Sequence, residues 1–197
     1  MFDFSREVFI CKCSTSVDIH QMDDDPEVAR MTFSQGREFD LARLSPQYHD
    51  VNHLQEMRER LARGEYWMIG ELDGEIVTYT FLFAREYFEY TYLPGCRFTL
   101  GDDSAYGYGA WTPNHLRGKG LRRRAFLEEL DILRRWGKQW EASVFIKQQI
   151  EGANRSLAKV GIEIVPLWRV EYGRDKKLRA EPLTPDEKSI RPFFPEP

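Results

Sequence analysis

The stretch Tyr106-Gly-Tyr-Gly-Ala-Trp-Thr-Pro113, with Arg117-Gly-Lys-Gly-Leu-Arg122 shortly after it, decides the predicted fold. The first part is typical of a strand, and the second is a basic loop with two glycines. A helix follows, with apolar residues at i, i+4, i+7 spacing: Phe126, Leu130 and Leu133. Glycines let backbone N–H groups turn inward, and a helix N-terminus adds donors and partial positive charge. The segment therefore predicts an anion site, which we interpret as a pyrophosphate site.

Two common nucleotide motifs do not fit this loop. A Walker loop needs Gly-x-x-x-x-Gly-Lys-Ser/Thr, and both the spacing and the hydroxyl are missing. A dinucleotide fingerprint needs Gly-x-Gly-x-x-Gly, and Arg123 occupies the place of its third glycine. The loop resembles instead the cofactor loop of the GNAT acyltransferase superfamily, Arg/Gln-x-x-Gly-x-Gly/Ala, through Arg117, Gly120 and the strand end Trp111-Thr-Pro113. Arg122 departs from the pattern, since it stands where Gly or Ala is usual.

The composition is that of a folded globular chain. With 197 residues, 42% of them hydrophobic and 14% aromatic, one domain with a real core is expected. The net charge of −4 is mild, and the bases cluster in one loop, which argues against a nucleic-acid partner. No apolar run approaches the roughly 20 residues of a membrane span. The N-terminus does not resemble a signal peptide, and the three cysteines are expected to be reduced. We therefore expect a cytoplasmic protein with no membrane partner.

The remaining elements are read from periodicity, caps and turn residues. Residues 1–173 are predicted to form a single domain, and 174–197, charged and proline-rich, a tail that either wraps the surface or is loosely held. The predicted elements are a strand at 6–14, a short helix from Asp25-Pro26 that fades near Gly36, a helix from Asp50 to Gly64, strands Tyr66–Leu72 and Glu75–Arg85 around an Asp73-Gly74 turn, a turn or hairpin at Tyr87–Thr99, a strand at Ser104–Thr112, a helix ending near Gly137, a strand at Glu141–Ile146, a helix at Gln148–Val160, and one or two strands at Ile162–Tyr172.

This order of elements is also similar to that of the GNAT superfamily. A second family motif, a Ser/Asn-rich helix ending in Lys-x-Gly-Phe, is resembled by the stretch Ala153–Ile162. The resemblance implies an α/β (α+β) fold with a mixed central sheet of about six to seven strands, splayed between the fourth and fifth, and about four flanking helices. It does not extend to the aromatic segment 87–99 or to the tail.

The resemblance also implies a cofactor, acetyl-CoA or another acyl-CoA, bound where the sheet splays. The backbone of Ala110, Trp111 and Thr112 would then hold the pantetheine arm and the thioester carbonyl. Asn154 would hydrogen-bond the cofactor, or else is an exposed polar residue. Gly107 and Gly109 would permit close approach, or else mark bulges. The pyrophosphate would be bound by the loop amides, those of Arg117, Gly118, Lys119, Gly120, Leu121, Arg122 and Arg123.

Acyl transfer to an amine needs a base, because the protonated amine must lose a proton before it attacks. The candidate carboxylates precede the cofactor strand, and each could instead be a solvated charge: Glu86, Glu89, Asp102 and Asp103.

A proton donor for the leaving thiolate is harder to assign. The family's tyrosine would fall at position 161 or 157, which are Gly161 and Leu157. Either Tyr106 or Tyr108 donates instead, or the thiolate leaves unassisted, which its ordinary pKa near 8.5 permits. The two tyrosines could equally be core residues.

No metal site is expected. Cys11 and Cys13 form a C-x-C pair with no second pair, so they are interpreted as thiols on a strand. The acceptor would be a small-molecule amine with an apolar portion, against an aromatic wall that could instead form a homodimer surface: Tyr87, Phe88, Tyr90, Tyr92 and Phe98.

The resulting functional prediction is an acyl-CoA-dependent N-acyltransferase, with acetyl as the expected group. The alternative is a non-catalytic CoA-binding sensor or scaffold of the same fold, favoured by Arg122 and by the missing tyrosine. A transferase that uses charged tRNA is a weaker alternative, because the chain lacks a broad basic face.

Overall fold

The computed structural model describes residues 7–16, 26–44, 50–89, 95–172, 177–184 and 190–193. Parts of the predictions above lie outside these ranges, namely residue 6 of the first strand, Asp25 of the first helix start, Tyr90 and Tyr92 of the aromatic wall, and residues 174–176, 185–189 and 194–197 of the tail.

Four α-helices form within the described residues: α1 (Pro26–Ala29), α2 (Val51–Ala62), α3 (Leu121–Arg135) and α4 (Lys147–Leu157). The start of α2 is the one predicted, since the Asp50 carboxylate accepts the His53 N–H at 2.8 Å as an N-cap. No helix in the described part of the chain is long and apolar enough to cross a bilayer.

Eleven strands form within the described residues, and eight of them belong to one mixed sheet of order β10-β9-β1-β8-β7-β4-β3-β2. A second sheet has the order β11-β6-β5. The strands are β1 (Glu7–Ser14), β2 (Thr32–Gln35), β3 (Tyr66–Leu72), β4 (Glu75–Phe83), β5 (Tyr87–Glu89), β6 (Arg97–Leu100), β7 (Ser104–Trp111), β8 (Trp140–Phe145), β9 (Val165–Tyr172), β10 (Leu178–Pro182) and β11 (Ile190–Phe193).

The chain forms two compact units. The first consists of the described residues of Met1–Val17, Ala84–Tyr106 and Leu130–Pro197, and the second of those of Asp18–Phe83 and Gly107–Glu129. In the first unit β1 pairs antiparallel with both β8 and β9. The parallel ladder between β7 and β8 has three residue pairs, Ser104↔Trp140 to Tyr106↔Ala142, and it ends at the residue where the first unit ends.

The second unit holds the basic loop. Its core on one side of β3 and β4 includes Met57 of α2 with Trp67, Tyr79 and Phe81. A separate cluster anchors the start of α3, where Leu121 packs with Val28, Met31, Leu72 and Val77.

Two predictions of secondary structure need correction, and a third, the turn or hairpin at Tyr87–Thr99, is confirmed as a hairpin. Residues Thr32–Gln35 form strand β2, where a fading helix was predicted, because they pair with β3 in the register Phe33↔Gly70. The ambiguous segment 87–99 contributes the hairpin β5–β6. Part of the predicted tail is not loose, because β10 pairs with β9 and β11 pairs with β6. Strands β2 and β10 are the two ends of the large sheet, which explains why it has eight strands and not six to seven. The single-domain boundary at 173 stays a prediction.

Candidate active site

Strand β7 carries a bulge two residues before its end. Gly109 has φ +65°, in the left-handed region that favours glycine. In a regular strand, the carbonyls of residues three positions apart point to opposite sides. Here the carbonyls of Tyr108 and Trp111 both accept hydrogen bonds from side chains of β4. Their donors are the hydroxyls of Thr80 at 3.2 Å and of Thr78 at 2.8 Å. The positive φ at Gly109 thus reorients the peptide groups next to the exposed Ala110, as a β-bulge does.

A buried arginine lies behind this bulge. A Cβ at Gly109 would be 2.6 Å from the guanidinium of Arg60, so the glycine is needed for space as well as for its backbone conformation. The Arg60 guanidinium also lies over the Tyr108 ring, 4.5 Å from its centroid, and forms an ion pair with Glu56 one helical turn earlier. Helix α2 thus contributes a cation directly beneath the end of β7.

Tyr108 donates its hydroxyl hydrogen to Glu65. The same carboxylate accepts from Arg63 Nε at 2.9 Å, and Glu65 is buried. Burial is the main cause that raises the pKa of Tyr108 above that of an ordinary tyrosine, with the Glu65 carboxylate adding to it. Tyr108 is therefore a weaker acid than an exposed tyrosine, and it keeps its proton in the hydrogen bond that it donates to Glu65.

The end of β7 also carries an aromatic stack. The Trp111 indole stacks on the Tyr79 ring with a centroid separation of 5.2 Å and an interplanar angle of 17°. The Tyr79 hydroxyl lies 2.9 Å from His53 Nε2 on α2. Burial raises the pKa of Tyr79, so this phenol stays neutral over the ordinary pH range.

The basic loop follows β7 as a short 3₁₀ turn over Asn114–Leu116. The Arg117 side chain donates from Nε to the Thr112 carbonyl at 3.1 Å and so holds the turn against the strand end. Gly118 and Gly120 have φ of +82° and +89°. The first intrahelical bond runs from Arg124 N–H to the Gly120 carbonyl at 3.0 Å, which makes Gly120 the N-cap of α3. Loop and helix start thus combine two left-handed glycines with a helix N-terminus.

The basic side chains of this loop differ in what they contact. Arg117 and Lys119 are exposed. Arg122 points along α3 and binds both carboxylate oxygens of Glu129, and Arg124 lies over the Phe33 ring. The Arg122 side chain is thus bound to Glu129, and the predicted role of its backbone amide at an anion site stays a prediction.

The other predicted site residues lie in the first unit. Glu86 is exposed, Glu89 pairs with Arg97 at 3.1 Å, and the Asp103 carboxylate accepts from Ser104 Oγ at 3.0 Å. Asp102 is exposed at the beginning of β7. No contact of these carboxylates marks one of them as a base.

Tyr106 and Asn154 have structural partners. Tyr106 is 4% exposed and stacks on Phe88 with a centroid separation of 3.7 Å, as a core residue does. The Asn154 side-chain oxygen accepts from the Ile164 N–H at 3.1 Å, so it fixes the chain after α4 and is not simply an exposed polar residue. Leu157 is buried and Gly161, at φ +71°, ends the helical segment. Cys11, Cys13 and Cys96 are buried and form no disulfide, and within the described ranges no three His, Cys, Asp or Glu side chains cluster as a metal site would.

Sequence reasoning missed the polar residues that α2 and its C-terminal turn supply to this site. His53, Met57 and Arg60 have i, i+4, i+7 spacing, so a signal was present. A histidine and an arginine on the buried face of an amphipathic helix mark a polar site inside the fold. Glu65 and Tyr79, in contrast, carry no such signal, because their partners are distant in sequence.

No family model matches the sequence, and no match was found among curated proteins. Solved structures do match. An acetyltransferase of the GNAT family from Colwellia psychrerythraea has a TM-score of 0.53 and 10% identity, over 80% of this chain and 52% of that chain. A GCN5-related glucosamine N-acetyltransferase region of a fungal multi-domain β-N-acetylglucosaminidase has a TM-score of 0.52 and 11% identity, over 81% of this chain and 20% of that chain. A functionally unknown protein from Staphylococcus epidermidis has a TM-score of 0.52 and 5% identity, over 81% and 58%. The chain thus spans less than two thirds of each of these proteins, and identities this low establish the fold alone.

Proposed function

The chain has the fold of the GNAT acyltransferases, and from that premise we propose that it is an acyl-CoA-dependent N-acyltransferase. The proposed reaction moves an acyl group, acetyl in the first instance, from the CoA thioester to an amine of a small molecule. The amine attacks directly while both substrates are bound.

The observation that carries this proposal is the pair of glycines ahead of α3. Gly118 and Gly120 both have positive φ, and Gly120 caps a helix of 15 residues, so the amides of residues 118–123 surround a helix N-terminus. Exposed Arg117 and Lys119 add positive charge at the same turn. This combination suits the diphosphate of CoA, because it offers several N–H donors and cations to one dianionic group.

The strand before the loop suits the acyl end of the donor. Thr78 and Thr80 hold two β7 carbonyls from the β4 side, and the bulge at Gly109 reorients the peptide groups of Ala110 and Trp111. Peptide groups that are held in place before the substrate arrives stabilise developing charge without further reorganisation. We therefore assign the thioester carbonyl to the backbone of Ala110 to Thr112.

The leaving thiolate departs without a protein donor in this proposal. Tyr106 is stacked in a core, and Tyr108 donates its hydroxyl hydrogen to Glu65 and has its pKa raised by burial. An ordinary thiol has a pKa near 8.5, so its thiolate is an adequate leaving group near neutral pH.

The acceptor class follows from the aromatic surfaces. Trp111 is half-buried at the end of β7 in the second unit, and Tyr87 of the aromatic segment in the first unit is exposed. A primary amine with an apolar portion suits such surfaces, since its hydrocarbon part can be buried and its nitrogen can reach the thioester.

Calorimetry and a thiol-release assay test the proposal. We expect CoA and acetyl-CoA to bind and to raise the melting temperature, and pantetheine, which lacks the diphosphate, to bind at least about tenfold more weakly. Acetyl-CoA should release thiol faster when an amine from a panel of alkylamines, arylalkylamines, polyamines and amino sugars is added.

Two outcomes would contradict this expectation in different ways. Absence of both heat and thermal shift with CoA would remove the cofactor site and the acyltransferase assignment with it. Tight CoA binding, with slow thiol release that no amine accelerates, would instead support the sensor or scaffold of the same fold.

A further inference from the structure

Strand β4 carries two fully buried threonines at its centre, Thr78 and Thr80. A buried hydroxyl costs free energy unless it is hydrogen-bonded, and valine has nearly the same shape without that cost. We propose that Thr78 is a positioning residue whose hydroxyl fixes the strand end that holds the thioester relative to the loop that holds the diphosphate. The inference rests on the proposed function, since it concerns how the same site orients its acyl donor.

The Thr78 hydroxyl bonds to two consecutive residues at the strand end. It donates to the Trp111 carbonyl at 2.8 Å, and its oxygen lies 3.1 Å from the hydroxyl oxygen of Thr112, which is also buried. A hydroxyl has one hydrogen, and that of Thr78 is used on Trp111, so the Thr112 hydroxyl is the donor in the second bond. Thr80, in contrast, donates to the Tyr108 carbonyl ahead of the bulge.

Thr112 continues this chain of hydrogen bonds into the basic loop. Its carbonyl accepts from Arg117 Nε at 3.1 Å, while its hydroxyl bonds to Thr78. Arg117 immediately precedes the amides of residues 118–123, to which we assign the diphosphate. Hydrogen bonds on both sides of Thr112 thus set the position of the loop relative to the strand end, and the partner on the sheet side is Thr78.

Strand β4 also supports the beginning of α3. Val77 precedes Thr78 and packs in the cluster that contains Leu121. Leu121 is the first residue of α3 and directly follows Gly120. Two consecutive residues of one strand therefore fix the two regions of the proposed donor site, because Val77 contacts the helix start and Thr78 the strand end.

Packing against β3 holds the rotamer of Thr78. Gly70 is its cross-strand partner, and a Cβ at Gly70 would lie 2.7 Å from the Thr78 methyl carbon. The methyl group therefore occupies space that the missing Gly70 side chain leaves open, and this contact directs the hydroxyl toward Trp111. Valine keeps the methyl contact and removes the hydroxyl, so Thr78→Val tests the hydrogen bonds alone.

The expected consequence concerns how the enzyme uses binding energy. Binding of a remote part of a substrate raises kcat when it helps to place the reacting group. Diphosphate binding at the loop can orient the thioester on the backbone of Ala110 to Thr112 only while the two regions keep a fixed separation. Because Thr78 maintains that separation, kcat should depend on its hydroxyl for acetyl-CoA and much less for a donor that lacks the diphosphate.

The test compares acetyl-CoA with acetyl-pantetheine as donors to the best amine of the panel. In Thr78→Val, kcat with acetyl-CoA should fall by roughly 10–100-fold, because a small displacement of the thioester has a large effect on the rate. The kcat/KM for acetyl-pantetheine, and the affinity for CoA measured by calorimetry, should change by no more than about threefold. Thr78→Ser should recover most of the loss, since its hydroxyl can make the same bonds.

Thr112→Val is a second variant that breaks the Thr112–Thr78 bond and leaves the Trp111 carbonyl bonded. It should show the same dependence on the donor, with a smaller loss than Thr78→Val. A partly unfolded variant would instead lose activity equally with both donors, so the comparison separates positioning from damage to the fold.

The infrared carbonyl band of bound acetyl-CoA, isotopically labelled at the thioester carbon, gives a readout that needs no acceptor. In the wild type, the fixed peptide groups should polarise the carbonyl and give a narrow band at lower frequency than that of free acetyl-CoA. In Thr78→Val the band should broaden and move back toward the free value, and in Thr78→Ser it should stay close to that of the wild type.

Thr15→Val is the matched control. Thr15 is also buried, and its hydroxyl donates to a backbone carbonyl in the first unit, that of Lys138, at 2.7 Å. This variant should be less stable than the wild type and should leave both donors and the carbonyl band unchanged.

The failure of this inference can be told from the failure of the proposed function. Equal losses for the two donors in Thr78→Val, or an unchanged carbonyl band, would overturn the role of Thr78 while leaving the acyltransferase intact. A wild type that binds acetyl-CoA but acetylates no amine would refute the transfer, and the carbonyl band would still decide the role of Thr78. A wild type that does not bind acetyl-CoA would refute both.

Discussion

Arg122 occupies the position where the cofactor-loop pattern has Gly or Ala, and its side chain serves the interior of the protein. Its guanidinium binds Glu129, which is fully buried, two helical turns further along α3, and it lies over Phe126 between them. Desolvation raises the pKa of Glu129, and the charge and hydrogen bonds of Arg122 lower it in opposition. Arg122, which departs from the pattern, thus neutralises the charge of the buried Glu129 carboxylate.

Replacing Arg122 by leucine should destabilise the fold at neutral pH. Breaking a buried ion pair costs about 3–5 kcal/mol, and we expect about 1–3 kcal/mol because the Arg122 side chain is 36% exposed and screened by water. Urea unfolding at pH 7 measures the loss.

The pH dependence of that loss has a definite sign. Without Arg122, the pKa of Glu129 rises further above its value in the unfolded chain, so the folded state favours the protonated carboxyl. The stability of Arg122→Leu should therefore be closest to wild type below the ordinary glutamate pKa, and the deficit should grow as pH rises through the folded pKa. Arg134→Leu, an exposed arginine on the same helix, is the control and should change stability by no more than about 0.5 kcal/mol. Equal stability of Arg122→Leu and wild type at pH 7 would refute this reading.

At the scale of elements, the segment from β7 through the basic loop to the start of α3 owes its backbone shape to residues with positive φ. Gly109 makes the bulge, Gly118 turns the loop, and Gly120 caps the helix. An added Cβ at Gly118 would meet no atom of the described residues within 4 Å, so the cost of a side chain there is confined to backbone strain and to any ligand.

Gly118→Ala should weaken CoA binding at least about tenfold, or roughly 1.4 kcal/mol, because the left-handed backbone that aims the loop amides becomes strained. Gly137→Ala is a close control. Gly137 follows the other end of α3 with φ +75°, and an added Cβ there likewise meets no described atom within 4 Å. Both variants should lose about 1–2 kcal/mol of stability, and only Gly118→Ala should lose CoA affinity by calorimetry. Equal CoA affinities in the two variants would show that the conformation of this loop does not contribute to CoA binding.

At the scale of the whole molecule, the C-terminal segment belongs to the fold through its described residues. Ile190 is fully buried, and its carbonyl accepts from Trp168 Nε1 at 2.9 Å. Thr184 donates its hydroxyl to the Pro166 carbonyl at 3.1 Å. These contacts tie β11 and the end of β10 to β9 within the first unit.

Ile190→Ala should therefore cost about 2–5 kcal/mol of unfolding free energy, as for other buried large-to-small changes. Leu183→Ala in the same segment, at a residue that is 41% exposed, should change it by no more than about 0.5 kcal/mol. Thermal or urea unfolding distinguishes the two, and a neutral Ile190→Ala would restore the interpretation of this segment as a loose tail.

The sequence by itself determined the elements whose signals are local. The Asp50 cap, the Asp73-Gly74 turn and the glycines ahead of α3 impose their conformation through neighbouring atoms, so β3, β4, α2 and the conformation of the basic loop were predictable. Only the tertiary structure decided which residues face each other across the chain. Thr32–Gln35 became a strand through pairing with β3, and Ile190 became core although the sequence around it is charged and proline-rich.

The candidate site shows the same division between local and tertiary information. The contacts of His53 with Tyr79 and of Tyr108 with Glu65 join residues 26 and 43 positions apart. Such contacts depend on packing between elements, and no local pattern in the sequence encodes them.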